Sequence, residues 1–336
     1  MRNRTRTPGL IDTSPIGMAR RLAFRFWPLA LVALFVAGPE ACLDTACGQD
    51  AAKEKEEIPK PEELVLTTGD GVELAVTYYP PIKPGKEVVP VVLLHQFKGS
   101  RRDYVELAVA LQNAGHAVIL PDLRGHGRST SVVGSTQRIE ADRLTPTQLQ
   151  RMVVDDMEYV NRFLWDRNNA GDFNVNKLCL VGAEMGASVA LLYAARDWDV
   201  RPYGAMQLGQ FVKGLVLISP EWSFKGLTVQ PAMRHPGVRS EISVLVIAGG
   251  RKQPAVRESK RLFDMFKPHH PDPPANRVAE DKDLFYAELD TALQGTDMLG
   301  QNLKLEQYIA QFINLRLVKA PKARTFDWQE RRRPHQ

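Results

Sequence analysis

The most constraining feature of the sequence is the stretch KLCLVGAEMGASVALLY, residues 177–193. Its first part, residues 178–181, is a short apolar run of the kind that forms a buried strand. A turn from Gly182 to Gly186 follows, and then small residues that can open a helix packed closely on a sheet. Because glycine has no Cβ, the two glycines let the strand and helix backbones approach each other. The stretch therefore predicts a strand, a tight turn and a helix, with Glu184 held at the centre of the turn.

Apolar runs and amphipathic segments alternate along the rest of the chain. Two strands joined by a Gly-Asp-Gly turn are predicted at residues 63–67 and 72–79. Further strands are predicted at residues 88–94, 117–120, 214–219, 242–248 and 284–289, and further helices at residues 103–114, 147–167, 257–266 and 303–315. This alternation predicts an α/β fold with a mostly parallel, twisted sheet of about eight strands and helices on both faces. The connection at residues 221–240 has room for a turn or two of helix, and not for a separate lid domain.

The N-terminal segment has the pattern of an export signal. Three arginines precede an apolar run at residues 26–38, and a small-x-small cleavage site lies at residues 46–48. We therefore expect a signal peptide at residues 1–48 and export to the periplasm or cell envelope. The alternatives are an uncleaved anchor, for which the run is short, and lipidation at Cys42 or Cys47. Either alternative would attach the protein to a membrane.

Charge does not point to nucleic acid as a partner. The chain has 44 Lys and Arg against 39 Asp and Glu, and the excess lies largely in the signal segment, so the body is nearly neutral. Residues 49–61 are charged and contain proline, which predicts a flexible linker. The folded domain is expected at residues 62–317. Residues 318–336 are basic and rich in proline, which favours a solvated tail, with docking on an anionic surface as the alternative.

Four stretches together carry a resemblance to a known family. They are LLHQFKGS at 93–100, DLRGHGRS at 122–129, VGAEMGA at 181–187 and QGTDML at 294–299. In order, they resemble the oxyanion loop, the D-x-x-G-H-G-x-S loop, the nucleophile elbow and the start of the final helix of the α/β-hydrolase superfamily. The closest likeness is to its small-lid branch of serine aminopeptidase-like and dienelactone hydrolase-like members. The resemblance implies an α/β-hydrolase fold with a minimal lid.

The same resemblance places the catalytic positions on unsuitable residues. The nucleophile position, normally Ser, is Glu184; the acid position is Gln253 and the base position is Gln294. The resemblance assigns the oxyanion-hole N–H groups to Phe97 and Met185, which do not depend on side-chain type. A glutamine side chain has no titratable group, so it cannot act as a general base. The resemblance therefore implies a degenerate catalytic triad.

Histidines elsewhere offer no obvious replacement for the base. His95 and His126 belong to loop motifs that are mostly structural in the family. We therefore interpret the chain as an exported pseudoenzyme that binds or scaffolds an unknown small molecule or protein, without a cofactor or metal. Two alternatives remain open: an active hydrolase of ester or peptide bonds that uses Glu184 in a rearranged site, and a sensor in which Glu184 pairs with a cationic ligand.

A separate hypothesis concerns the orientation of the Glu184 side chain. Its carboxylate lies at a predicted helix N-terminus, where the helix dipole favours an anion. The carboxylate would then fold back onto the N–H groups of Phe97 and Met185 and occupy the oxyanion hole. The alternative is a turn residue that faces solvent.

Overall fold

An eight-stranded sheet forms the centre of the computed structural model, which describes residues 57–204 and 207–332. In chain order, the strands of these residues are β1 (Glu62–Thr67), β2 (Glu73–Tyr79), β3 (Pro90–Leu94), β4 (Ala117–Pro121), β5 (Leu178–Ala183), β6 (Val212–Ile218), β7 (Ser223–Phe224), β8 (Leu227–Thr228), β9 (Ser243–Gly249) and β10 (Leu284–Leu289). The sheet order is β1-β2-β4-β3-β5-β6-β9-β10, and β7 and β8 form a separate hairpin. Only β2 runs antiparallel to its neighbours, β1 and β4, so the predicted, mostly parallel sheet of about eight strands is confirmed.

Helices cover both faces of the sheet, as the alternation predicted. They are α1 (Val105–Asn113), α2 (Pro146–Arg151), α3 (Met157–Ala170), α4 (Met185–Asp199), α5 (Gln230–Arg234), α6 (Pro236–Ser240), α7 (Gln253–Phe266), α8 (Val278–Asp281) and α9 (Leu305–Ile313). The apolar side chains of α1 and α9 pack on one face. Those of α2 to α7 pack on the other. The strands between these layers are buried on both sides, which is why they read as continuous apolar runs.

Strand β5, which leads into the turn at Glu184, lies at the middle of this arrangement. Leu178 and Leu180 join the core beneath α4, whereas Cys179 and Val181 join the core beneath α1 and α9. This alternation follows the two-residue period of a strand. The turn after β5 therefore stands at the carboxyl edge of a sheet that is fixed from both sides.

The helix predicted at residues 147–167 is interrupted. It begins as α2, where Pro146 stands at the first position and the Thr145 hydroxyl accepts a hydrogen bond from the Gln148 N–H at 3.3 Å. A π-helical turn, Met152–Asp156, then separates α2 from α3. This wider turn contains the fully buried Asp156, which pairs with the buried guanidinium of Arg124 at 2.6 Å. The ion pair joins residues far apart in the chain, so helical periodicity alone does not reveal it.

The connection at residues 221–240 holds the β7–β8 hairpin and the short helices α5 and α6. It contains no separate domain, as expected, but the sequence did not predict the hairpin. The hairpin lies near the loop after β3, because Phe224 stacks on Phe97 with ring centroids 5.0 Å apart. The lid of this molecule is therefore a single small hairpin followed by two turns of helix.

The expected solvated tail is instead bound to the body over residues 318–332. Four asparagine side chains donate hydrogen bonds to its backbone carbonyls: Asn174 to Phe326 (2.7 Å), Asn176 to Asp327, Asn168 to Gln329 (2.9 Å) and Asn169 to Arg331 (2.7 Å). The Arg331 side chain is buried over the Phe211 ring, at 4.7 Å from its centroid. The sequence shows the basic charge of the tail and not its partners, which lie about 150 residues earlier.

The signal peptide predicted at residues 1–48 and most of the linker predicted at 49–61 lie outside the described residues. Glu54–Gln336 forms one compact unit. Within the described ranges, no helix is both long and apolar enough to cross a membrane.

Candidate active site

Glu184 occupies a strained turn between β5 and α4. Its backbone has φ 47° and ψ −110°, a region that costs a non-glycine residue about 1–3 kcal/mol. The Glu184 N–H donates to the Ile218 carbonyl at 2.9 Å, which ties the turn to β6. A Cβ on Gly182 would lie 2.4 Å from the Gly186 oxygen, and one on Gly186 would lie 2.1 Å from the Leu94 oxygen. Both positions therefore require glycine, and the sequence-based account of this turn agrees with the structure.

The Glu184 side chain is half-buried and extends towards the loop after β10. Its Cγ lies 3.2 Å from the point where a side chain on Gly295 would begin. Burial raises the pKa of the Glu184 carboxyl, and the charge of Asp297 raises it further, whereas Lys252 lowers it. In the described part of the chain, no hydrogen bond to the carboxylate is present. Glu184 is thus a half-buried carboxyl without a hydrogen-bond partner among the described residues.

The hypothesis that this carboxylate folds into the oxyanion hole is not supported. Among residues 57–204 and 207–332, no hydrogen bond joins the Glu184 carboxylate to the N–H of Phe97 or Met185. The Glu184 Cγ instead lies 3.2 Å from the position that a Cβ on Gly295 would take. The assignment of Phe97 and Met185 as oxyanion donors stays a prediction.

Gln294 is buried, and its amide is engaged at both ends. The Oε1 atom accepts from the Ser219 hydroxyl at 2.7 Å and from the Gly249 N–H at 3.3 Å. The Nε2 atom donates to the Gly249 carbonyl at 3.0 Å. The Ser219 oxygen in turn accepts from the Gly295 N–H at 3.0 Å. Gln294 therefore ties the ends of β6 and β9 to the loop after β10, and it presents no proton acceptor to Glu184.

Gln253 lies apart from this network. It is the first residue of α7 and is exposed. Within the described ranges, its side chain makes no hydrogen bond to Gln294. The structure therefore brings the elbow and the Gln294 loop together, but leaves the third predicted triad position at the surface.

The sequence analysis missed Gln96, which connects two of the loops around Glu184. Its Oε1 atom accepts from the Thr296 N–H at 2.7 Å. This bond ties the loop after β3 to the short helical turn that follows Gln294. Gln96 lies inside the LLHQFKGS stretch, but its role depends on a partner 200 positions later, so a local motif could not reveal it.

Acidic side chains dominate the electrostatics of the cleft. Glu221 is half-buried, and its carboxyl pKa is raised first by burial and then by the charges of Glu184 and Glu258. Lys252 opposes these shifts at both Glu184 and Glu221. Among the described residues whose charges act on Glu184 and Glu221, several are carboxylates and Lys252 is the cation. The sequence analysis did not identify Glu258 or Lys252, which lie on or beside α7 and come near Glu221 only in the folded structure.

His95 and His126 serve the framework. His95 is fully buried; its Nε2 accepts from the Leu123 N–H at 3.0 Å, so Nδ1 carries the proton and donates to the Gln96 carbonyl at 2.8 Å. Burial lowers the pKa of His95. Burial, with the nearby His95, lowers the pKa of His126 to about 4. Both rings are therefore neutral near pH 7, and His95 has no free nitrogen to offer as a base.

The DLRGHGRS loop is likewise structural. The Asp122 carboxylate accepts from the N–H groups of Arg101 at 2.7 Å and Arg128 at 2.8 Å, and it pairs with the Arg101 guanidinium. A Cβ on Gly127 would lie only 2.3 Å from this carboxylate. The Ser129 hydroxyl donates to the Asp122 carbonyl at 2.7 Å. The motif holds one side of the cleft in place rather than supplying chemistry.

Comparison with known proteins identifies the family. A family model described as alpha/beta hydrolase fold matches residues 89–271, more than half of the chain. The chain belongs to the α/β hydrolase fold family. A search of curated proteins found no match for it.

Solved α/β hydrolase structures are similar to this chain in fold. An esterase from Pyrococcus furiosus superposes with a TM-score of 0.53 at 15% identity, over 76% of this chain and 91% of the esterase. A thermostable carboxyl esterase from Bacillus coagulans, in complex with glycerol, superposes with a TM-score of 0.51 at 15% identity, over 77% and 99% of the respective chains. Identity this low shows the shared α/β hydrolase fold alone.

Proposed function

We propose that this protein is an exported α/β hydrolase fold member that has lost Ser-type hydrolysis and acts as a binding protein. The observation that carries the proposal is the state of Gln294. Its amide makes buried hydrogen bonds that tie the ends of β6 and β9 to the loop after β10, and glutamine cannot accept a proton from a nucleophile. Losing the nucleophile or the base alone removes most of the rate in enzymes of this type.

The chemistry of the cleft favours a cationic ligand. The Glu184 side chain has no hydrogen-bond partner in the described part of the chain, and burial together with neighbouring carboxylates raises the pKa values of Glu184 and Glu221. A bound amine or amidine would supply the missing positive charge and would lower both pKa values. Among the described residues, Lys252 is the cation that offsets part of this charge. Glu184 stands at the position where the α/β hydrolase family has its nucleophile. We therefore propose that its carboxylate binds a small organic cation in this protein.

Calorimetric titration with benzamidine, beside the neutral benzamide, tests this proposal. We expect benzamidine to bind more tightly than benzamide, and Glu184→Gln to weaken benzamidine binding by roughly fivefold or more, the effect of one charge-assisted contact. Glu158→Gln, on the outer face of α3, is the matched control and should leave binding unchanged. Equal binding of the two probes, or benzamidine binding unaffected by Glu184→Gln, would contradict the proposal.

A second candidate is glutamate-dependent hydrolysis. The observation that favours it is that burial, and then the charge of Glu184, raise the pKa of Glu221, since a carboxyl with a raised pKa can hold a proton for acid–base work. In that case Glu184 would act as base for water and Glu221 as acid. Ester turnover that Glu221→Gln and Glu184→Gln each abolish would favour this candidate over the binding protein.

A further inference from the structure

The side chain of Gln96 lies beside that of Glu184, although the two residues belong to different loops. Gly295 leaves an open notch between them, because glycine has no Cβ. A Cβ on Gly295 would meet the Oε1 atom of Gln96, and it would lie 3.2 Å from the Cγ atom of Glu184. The side chains of Gln96 and Glu184 therefore border the same notch.

The orientation of the Gln96 amide follows from its backbone partner. The Oε1 atom accepts from the Thr296 N–H at 2.7 Å. Because a backbone N–H needs an acceptor, the oxygen and not the nitrogen of the amide occupies this position. The two N–H donors of Nε2 therefore lie on the other branch of the amide, away from Thr296.

These two donors are poorly used within the protein. In the described part of the chain, Nε2 makes one contact, with the Asp297 Oδ1 at 3.5 Å, and this contact is exposed to solvent. An N–H···O hydrogen bond usually measures about 2.7–3.2 Å, so the contact is a weak one. Gln96 can therefore donate to an external acceptor without losing a good internal hydrogen bond.

Asp297 shows that these donors lie close to the carboxylate of Glu184. Burial raises the pKa of the Glu184 carboxyl, and the charge of Asp297 raises it further, so the two carboxylates lie within electrostatic range of each other. The Asp297 carboxylate is also next to the Nε2 atom of Gln96. Its negative charge disfavours an anionic acceptor at this place, so an acceptor that reaches Gln96 is neutral.

We propose that Gln96 is a specificity-determining residue of the cation site at Glu184. It selects organic cations that carry a neutral hydrogen-bond acceptor, such as a carbonyl oxygen, close to the charged group. This inference rests on the proposed function, because it assigns a second contact to the ligand of Glu184. The carboxylate pairs with the cationic group, and the Nε2–H of Gln96 donates to the acceptor, so the two contacts together fix the orientation of the ligand.

Titration calorimetry of the full-length protein at pH 7 with glycinamide and isobutylamine tests the proposal. Both probes are protonated amines of equal size, and only glycinamide has a carbonyl oxygen near the ammonium group. We expect the protein to prefer glycinamide by roughly fivefold, the effect of one hydrogen bond. Isobutylamine binding as tightly as glycinamide, while benzamidine binds as proposed above, would overturn the role of Gln96 and leave the cation site standing. Failure of benzamidine and both amines to bind would overturn the cation site as well.

Gln96→Glu isolates the contribution of the two donors. The new side chain keeps an oxygen for the Thr296 N–H but has no N–H group, and its added charge acts alike on two monocations. We expect the preference for glycinamide to disappear, and the uncharged Gln96→Met should remove it too. Gln311→Glu, at an exposed position of α9, is the matched control and should leave the preference unchanged. A preference that survives in both Gln96 variants would overturn the proposal.

Discussion

The residue type at position 294 determines whether this position can act as a base or only form structural hydrogen bonds. A histidine at this position would carry a basic nitrogen, whereas the glutamine amide fills its hydrogen-bonding capacity with Ser219 and Gly249. The glutamine itself therefore offers Glu184 no proton acceptor. Under the proposed function, the same residue type removes the base and supplies the structural tie.

Gln294→Ala should therefore destabilise the protein. The substitution leaves the Ser219 hydroxyl and the Gly249 backbone groups buried without their partner, and we expect the free energy of unfolding to fall by about 1–3 kcal/mol. Gln253→Ala, at the exposed start of α7, is the control and should change it by less than about 0.5 kcal/mol. Urea unfolding of both variants measures this, and equal losses would contradict the structural role of Gln294.

Glu184→Gln should raise stability at neutral pH. Burial and the Asp297 charge raise the folded-state pKa of Glu184, so its stabilising contribution is fully present below the unfolded pKa and is lost as pH rises through the folded value. Removing the charge should increase the unfolding free energy at pH 7 by about 0.5 kcal/mol, allowing for solvent screening, and the gain should disappear near pH 3. A gain of the same size at both pH values would contradict this account.

Predictions for single residues agreed with the structure where the steric constraint comes from neighbouring residues in the chain. The need for glycine at 182 and 186 follows from one turn and could be predicted. Gln96 and Lys252 could not, because their roles depend on loops that only the folded sheet brings together.

The C-terminal segment is the element that departs most from expectation. Its carbonyls are paired with asparagine side chains of the α3 end and the loop before β5, and Arg331 fills the space over Phe211. A basic, proline-rich composition predicts a solvated segment. The segment is instead held on the body of the protein by hydrogen bonds from the asparagine side chains to its backbone carbonyls. By contrast, each strand of the main sheet was predicted because apolar runs are a property of the strand itself.

Arg331→Ala should destabilise the protein through this element. The Arg331 guanidinium donates to the Gln207 carbonyl at 2.9 Å and to Asn176, and the ring of Phe211 lies beneath it. We expect a loss of about 2 kcal/mol. Arg332→Ala, one residue later and exposed, should cost less than about 0.5 kcal/mol. Thermal unfolding compares the two, and similar melting temperatures would contradict the docking of this segment.

The molecule as a whole combines an α/β hydrolase fold with Glu184, Gln253 and Gln294 at the predicted catalytic positions. The sheet, the elbow and the DLRGHGRS loop were predictable from sequence because each is encoded by short, continuous stretches of the chain. The interrupted helix, the lid hairpin and the buried histidines required the structure, since each depends on contacts between distant segments.

Buried histidines should make the molecule sensitive to acid. Burial lowers the pKa of His116 to about 4, so its stabilising contribution is present above the unfolded pKa near 6.5 and is lost as pH falls towards 4. His116 alone should cost about 2 kcal/mol of unfolding free energy between pH 7 and pH 5. His116→Leu should reduce this loss by that amount in urea titrations at the two pH values, and an unchanged loss would contradict the account.

The central claim is that this α/β hydrolase fold no longer performs hydrolysis, and turnover of p-nitrophenyl acetate and butyrate tests it most directly. The purified protein would be compared with Glu184→Gln at equal concentration, with buffer as the reference. The account predicts no rate above buffer for either protein. A wild-type rate that Glu184→Gln abolishes would contradict it and would make Glu184 a catalytic residue.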